Sequence, residues 1–330
     1  MMQEIQLLKP LKPNTINQQN YIGIDIGGTK IAGQKYTKDA EGKLYPSGDL
    51  TRIKTDPANI KEAIQDCVSD TKNAHSIAVG VGWPGDVDQD TGLIYSGVNV
   101  NNIGATEGGF DIITSIKETG IQVVRVLNDA DAQVLAAANE SPEKIRNAVV
   151  LGLGTGLGVG VLANGDILWS SEYGHHSPNL VEDPNGRTES IISGTGLTNI
   201  LHEQGFDGEL PEMIKRHTGE ELFDRTIQKW KSHFAAVVAD IQLSYRPETT
   251  FISGGLGEKL VQEDPNFLNA LEQISKEILN KKGFPRIAKN LNLAKIPCND
   301  AGTRGAALYA KTYSCTGRKI GKDYDCSLIA

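Results

Sequence analysis

What this sequence has little of narrows the reading first. Its 330 residues include only four cysteines, Cys67, Cys298, Cys315 and Cys326. No two of them form a CxxC pair, and no histidine cluster accompanies them. That argues against a disulfide framework and for reduced thiols in a cytoplasmic protein. No apolar run approaches the roughly 20 residues of a membrane span, so no membrane partner is expected. The opening segment MMQEIQLLKPLKPNTINQQN lacks the long apolar centre of a signal peptide. Positive charge is in deficit as well: 33 Lys and Arg stand against 41 Asp and Glu, a net charge of -8. A broad nucleic-acid footprint is therefore not expected, although a locally basic cleft for a small anion is allowed. There is no GxxxxGK[ST], which excludes a P-loop, and no GxGxxG opening a helix, which weakens a Rossmann reading.

What the chain does have is glycine, 36 residues of it, concentrated in two similar segments. Tyr21 to Lys30 reads YIGIDIGGTK and Ala148 to Gly160 reads AVVLGLGTGLGVG. Each is an apolar strand, a tight glycine and threonine turn, and an apolar return strand. Glycine lets backbone amides approach an anion closely, so two such hairpins can grip a polyphosphate between two halves of a protein. Gly27, Gly28, Thr29 and Lys30 form the first cradle; Gly154, Thr155 and Gly156 form the second. Asp25 ends the first strand, where a carboxylate can hold magnesium through water.

The pattern around these hairpins repeats. Strands at Ile22 to Ile26, Ile31 to Tyr36 and Leu50 to Lys54 precede a helix announced by Asp56-Pro57. A strand follows at Ser76 to Val81, then a helix at Phe110 to Thr119, a strand at Val123 to Leu127 and an alanine-rich helix at Ala130 to Ala138. The second half has strands near Ala148 to Leu153, Gly158 to Leu162 and Asp166 to Trp169. A long helix over about Thr226 to Tyr245 comes next, then a strand at Thr250 to Ile252 and a helix at Phe267 to Leu279. A strand at Leu291 to Ile296 and a helix at Ala301 to Tyr313 close the series. Ser177 to Gly196, rich in Pro, Gly and Asp, reads as a long loop. The class is α/β, and the similar halves argue for duplication.

In this order and spacing the motifs resemble those of ROK family sugar kinases, over about Tyr21 to Tyr313. The residues that carry the likeness are DIGGTK at Asp25 to Lys30, VGWPG at Val81 to Gly85, NDAD at Asn128 to Asp131 and GLGTGLGVG at Gly152 to Gly160. SEYGH at Ser171 to His175, ESIISGTGL at Glu189 to Leu197, ISGGL at Ile252 to Leu256 and DAGTRGAAL at Asp300 to Leu308 continue it. The resemblance implies two ribonuclease-H-like domains of the actin and hexokinase superfamily with a cleft between them. The expected small domain is residues 1–130, completed by the C-terminal helix at about 301–330; residues 131–300 form the large one. It implies Asp129 as catalytic base, a position that would also suit a plain helix N-cap. It implies Asn128, Glu172, His175 and Glu189 as sugar ligands, completed by Asn99 or by Asn101 or Asn102. Gly254 and Gly255 match the adenosine-side loop.

Many members of that family carry a CxCGxxGC zinc motif between the histidine and the second glutamate. Here the interval His175 to Glu189 reads HHSPNLVEDPNGRTE, without cysteine, so no structural zinc is expected. The expected activity is ATP- and magnesium-dependent phosphorylation of a hexose, with glucose leading. N-acetylmannosamine, N-acetylglucosamine and fructose remain open, as does polyphosphate as donor. A homodimer is expected. A sugar-responsive repressor is disfavoured because only a short segment precedes the first strand. A non-catalytic relative is disfavoured by Asp25, Asp129 and Glu172.

Overall fold

The computed structural model describes residues 19–89, 91–97, 110–169, 172–177 and 186–313. In chain order the elements begin with β1 (Asn20–Ile26), β2 (Lys30–Lys38), β3 (Leu44–Pro46), β4 (Thr51–Lys54), α1 (Ile60–Thr71) and β5 (Ser76–Trp83). They continue with a small hairpin of β6 (Leu93–Ile94) and β7 (Phe110–Asp111), then α2 (Ile112–Lys117), β8 (Val123–Asn128) and α3 (Asp129–Glu140). The second half opens with β9 (Ala148–Leu153), β10 (Leu157–Ala163) and β11 (Asp166–Ile167). Helices α4 (Glu189–Ile192), α5 (Gly194–Glu203), α6 (Leu210–His217) and α7 (Glu221–Tyr245) follow. The last are β12 (Thr249–Ser253), α8 (Gly254–Glu263), α9 (Phe267–Lys281), α10 (Pro285–Lys289), β13 (Leu293–Lys295) and α11 (Ala301–Tyr313). No helix among the described residues is long and apolar enough to cross a membrane.

The strands make two main sheets with the same central arrangement. The first runs β3-β2-β1-β5-β8, with β4 also paired to β2; the second runs β11-β10-β9-β12-β13. In each, a glycine-turned antiparallel hairpin is continued by two parallel strands. The parallel strands β5, β8 and β12 are mostly buried, as expected where helices cover a parallel sheet. Ile22, Ile24, Ile26, Val79, Val81 and Trp83 anchor the core of the first sheet. Leu151, Leu153, Trp230, Phe234 and Phe267 anchor that of the second.

Two helices tie the halves together by crossing over. Helix α3 follows the last strand of the first sheet but packs on β9 and β10, whereas α11 follows the last strand of the second sheet and packs on β1 and β5. The two helices also pack on each other. Their approach is backbone to backbone. A Cβ on Gly23 would fall 1.7 Å from the Thr303 carbonyl oxygen, and one on Gly305 would fall 1.7 Å from that of Ala132. Arg304 braces this region: its guanidinium donates to Asp300 on its own helix, to Glu140 at the end of α3 and to the Leu44 carbonyl of β3.

Several local expectations shift. The strand expected at Leu50 to Lys54 begins at Thr51 and pairs with β2. Asp56 does cap, accepting from the Ala58 N–H, but what it caps is a 3₁₀ turn at Pro57–Asn59 that leads into α1. Phe110 and Asp111 belong to a strand, because Asp111 accepts from the Thr114 N–H and starts the helix at Ile112. The stretch read as a long loop becomes helical from Glu189, its glycines forming the first turn of α5 behind the Ser193 cap. Ser253-Gly254-Gly255 opens helix α8 rather than a plain turn.

Candidate active site

The two glycine hairpins face each other across a cavity of about 280 Å³. From the first hairpin come Gly27 and Gly28; from the second come Gly152 and the run from Gly154 to Val159. The first turn is closed by the Gly27 N–H donating to the Lys30 carbonyl at 2.9 Å, and it is held from β4's end by the Thr55 hydroxyl on the Gly27 carbonyl at 2.6 Å. The second is closed from the Gly154 N–H to the Gly156 carbonyl at 3.1 Å. The start of α5 props it, since the Gly194 N–H donates to the Gly154 carbonyl at 2.8 Å. Turn carbonyls occupied in this way leave the turns presenting amides, which is the chemistry of an anion cradle. Thr29 and Lys30 lie exposed on the first turn and do not line the cavity, while Thr155 does.

At the far end of β8 the chain turns into α3 and delivers Asn128 and Asp129 to the same cavity. The helix cap is Asn128, not Asp129: its Oδ1 accepts from the Ala130 N–H at 2.9 Å, and its Nδ2 donates to the Gly85 carbonyl at 3.2 Å. Asp129 Oδ1 shares the Ala130 N–H at 2.8 Å, and its carboxylate, in the first turn of α3, lines the cavity. Its pKa is pushed up to about 7 by burial, by the negative charge of Asp25 and by that of Glu172, against the stabilising Ala130 N–H. Asp25 is likewise raised to about 6 by burial, partly offset by Lys30. It does not itself line the cavity but lies against α11, where a Cβ on Gly302 would fall 2.4 Å from its carboxylate.

Opposite Asp129, Glu172, His175 and Glu189 form a connected wall. His175 Nδ1 lies 3.2 Å from Glu172 Oε2 and its Nε2 lies 3.3 Å from Glu189 Oε1. Arg187 adds a contact to Glu189 Oε1 at 3.3 Å. A Cβ at position 156 would meet Glu189 Oε2 at 2.7 Å, so glycine in the second hairpin leaves room for this carboxylate. Burial raises the Glu172 pKa, opposed by His175 and reinforced by Asp86 and Glu189. Two carboxylates with spare lone pairs, bridged by an imidazole, suit a ligand bearing several hydroxyls.

Gly254 closes the cavity at a third side. Its φ of +81° and its contact with the Leu153 carbonyl, which a Cβ would approach to 2.4 Å, both demand glycine. Gly255 lies in the following helical turn and does not line the cavity. Asn99, Asn101 and Asn102 fall outside the described residues. Lining residues with no role assigned in the sequence include Pro84, Gly85 and Gln133. The signal for Gln133 was its place one helical turn beyond Asp129, which puts both on one face of α3. Among the described residues there is no group of three or more His, Cys, Asp or Glu side chains arranged to hold a metal. Asp25 fits the looser needs of magnesium, which takes one or two carboxylates with water and substrate phosphates. Its raised pKa beside a second carboxylate is a deficit of positive charge that a cation would fill.

Two such sheets, each opening with a glycine hairpin and sharing a cleft, define the fold of actin-like ATPases and sugar kinases. The ROK glucokinase of Streptomyces griseus, solved with glucose and AMPPNP, superposes with a TM-score of 0.68 at 20% identity, covering 89% of this chain and 99% of that one. The chain belongs to the ROK family, whose model matches residues 21–313. Among relatives, the glucokinase of Halalkalibacterium halodurans is 31% identical over 273 residues, 72% of this chain and 81% of that protein. The polyphosphate glucokinase of Mycobacterium leprae is 25% identical, covering 82% of this chain and 74% of the relative. The N-acetylmannosamine kinase of Salmonella arizonae is 26% identical, covering 88% and 98%.

Proposed function

We propose that the protein is an ATP-dependent hexose kinase that phosphorylates the 6-hydroxyl of glucose or a close analogue. One observation carries this reading: a carboxylate with a pKa near 7, Asp129, shares a single cavity with both glycine hairpins and with the Glu172–His175–Glu189 wall. Family membership and the similarity to glucokinases support it.

In this reading the sugar sits against Glu172, His175 and Glu189, with its reacting hydroxyl toward Asp129. A sugar hydroxyl is a weak nucleophile, and a carboxylate in hydrogen-bond reach orients it and accepts its proton as its oxygen bonds to the γ-phosphorus of ATP and the bond from that phosphorus to the leaving ADP oxygen breaks. Asn128 contributes its one uncommitted N–H, the rest of its amide being held by Ala130 and Gly85. The hairpin amides and Thr155 bind donor phosphates in line with that hydroxyl. Magnesium, when bound at Asp25, neutralises charge on those phosphates. The moving units are residues 1–130 with 301–330, and residues 131–300; the packing of α11 on β1 and β5 supports grouping it with the first. Closure on sugar excludes water and limits wasteful ATP hydrolysis.

A second reading, an N-acetylhexosamine kinase, draws support from the similarity to an N-acetylmannosamine kinase. A panel of glucose, mannose, fructose, N-acetylglucosamine and N-acetylmannosamine, each with ATP and with polyphosphate, separates them. Turnover of glucose at least about tenfold above the N-acetylhexosamines in kcat/KM upholds the first reading. The reverse order replaces it with the second, and no turnover of any sugar removes both.

A further inference from the structure

We propose that Gln133 is a donor-binding residue: its side-chain amide N–H₂ hydrogen-bonds a phosphate oxygen of the phosphoryl donor, and Ser253 holds it in position to do so. The proposal rests on the phosphoryl-transfer reading and deepens its donor side.

Gln133 lies on α3, four residues after Asp129, so the two side chains stand one above the other on the helix face that lines the cavity. Its Oε1 accepts the Ser253 hydroxyl at 2.5 Å. Ser253 ends β12, is buried, and directly precedes Gly254, which lines the cavity from the start of α8. Gly152, at the end of β9, is the other neighbour: a Cβ there would stand 3.8 Å from Gln133 Oε1. The side chain therefore sits on the floor between the Asp129 end of the cavity and its Gly254 end, under the path a phosphate chain must take.

With Oε1 taken by Ser253, the arm left over is Nε2, which makes no hydrogen bond among the described residues. An amide N–H₂ carries two donors and no acceptor. The charge balance of the cavity gives those donors a purpose. No lysine or arginine lines it among the described residues, and both nitrogens of His175 face glutamates. Asn128 gives one N–H to the Gly85 carbonyl, and its other is assigned to the sugar in the proposed function. Side-chain donors for an anionic phosphate are then Thr155 and Gln133, beside the hairpin amides. A neutral, pre-oriented donor helps here because it loses little side-chain freedom when the phosphate arrives.

The test is calorimetric titration of a magnesium-bound, non-hydrolysable ATP analogue into the full-length protein and two variants, alongside steady-state kinetics. Gln133→Met keeps the volume and removes the donors; Gln133→Glu keeps the bond from Ser253 and puts a negative charge where the donor was. Loss of a hydrogen bond to a charged group weakens analogue binding about tenfold in Gln133→Met, and more in Gln133→Glu. The KM for sugar stays within about twofold, because the change lies on the donor side alone. Ser253→Ala, which frees the amide to rotate, gives a smaller loss that the same titration reads. Thermal melts establish that each variant is folded, and Gln133→Glu carries the test if Gln133→Met is not. Unchanged analogue affinity in the folded variants overturns the proposal while leaving the kinase reading in place, as does a shift confined to the KM for sugar. A wild-type protein that binds no analogue overturns both.

Discussion

At the scale of single residues the cavity is an arrangement of carboxylates that repel one another. Burial raises the proton affinity of both Asp129 and Asp25; the negative charge of Asp25, and then that of Glu172, adds to the effect on Asp129, while Lys30 opposes it on Asp25. A general base must be ionised to act, so with a pKa near 7 its active fraction grows as pH rises toward neutrality. The expected profile of kcat/KM for sugar climbs with pH and levels off above about pH 7, measured at saturating donor. A profile flat from pH 5 to 8 would remove Asp129 as the titrating base. Replacing it by alanine is expected to lower kcat by at least about a thousandfold, with sugar binding still measurable by calorimetry. Asp25→Asn relieves the repulsion, so it is expected to raise the melting temperature of the ligand-free protein while abolishing magnesium-dependent turnover. A lower melting temperature would mean that Asp25 is a structural anchor for α11 at Gly302.

At the scale of elements, helices α3 and α11 cross between the sheets at a distance that side chains forbid. Gly80 belongs to the same set as Gly23 and Gly305: a Cβ there would lie 1.8 Å from the Ala306 carbonyl oxygen. Backbone cannot retreat from such a clash as a flexible side chain can. Gly80→Ala is therefore expected to destabilise by about 3 kcal/mol or more, read from urea unfolding, whereas Gly120→Ala, with open space around its Cβ but a φ of +95°, loses only about 1 kcal/mol through strain. The boundaries of these elements were partly legible in the residues. Asp56-Pro57 signalled a helix entry, and Ala301–Tyr313 read as a helix from end to end. α4, α5, α6, α8 and α10 were not legible; α5 and α8 begin with glycine-rich turns that look like loop, and α4 and α10 are only four and five residues long. Ser193 capping Gly196 and the packing of Leu197 and Leu201 into the second core make α5 a helix despite weak local propensity.

At the scale of the whole molecule, α11 returns to the first sheet after the chain has built the second, and Arg304 ties that return. Its side chain meets Asp300, Glu140 and the Leu44 carbonyl, and its guanidinium stands 5.3 Å from the centre of the Tyr36 ring. Removing it leaves two carboxylates facing each other beside the crossing. Arg304→Met is expected to lower stability by about 3 kcal/mol, since breaking a buried pair leaves uncompensated charge. Chemical denaturation of the full chain measures this, and a change under about 0.5 kcal/mol would mark the network as surface electrostatics only.

The residues alone determined the α/β class and both glycine hairpins, because short motifs record local backbone needs; the likeness to the ROK family pointed to Asn128, Asp129, Glu172, His175 and Glu189, all of which line the cavity. Tertiary structure decided what no local pattern encodes. It set the Asn128 amide against the Gly85 carbonyl, it brought Glu189 into the space that Gly156 leaves open, and it set Gln133 beside Ser253. The physical reason is the crossing of α3 and α11. Residues distant in the chain meet there through backbone-to-backbone contact, which Gly305 permits but which forms only where the two helices pass in the folded chain.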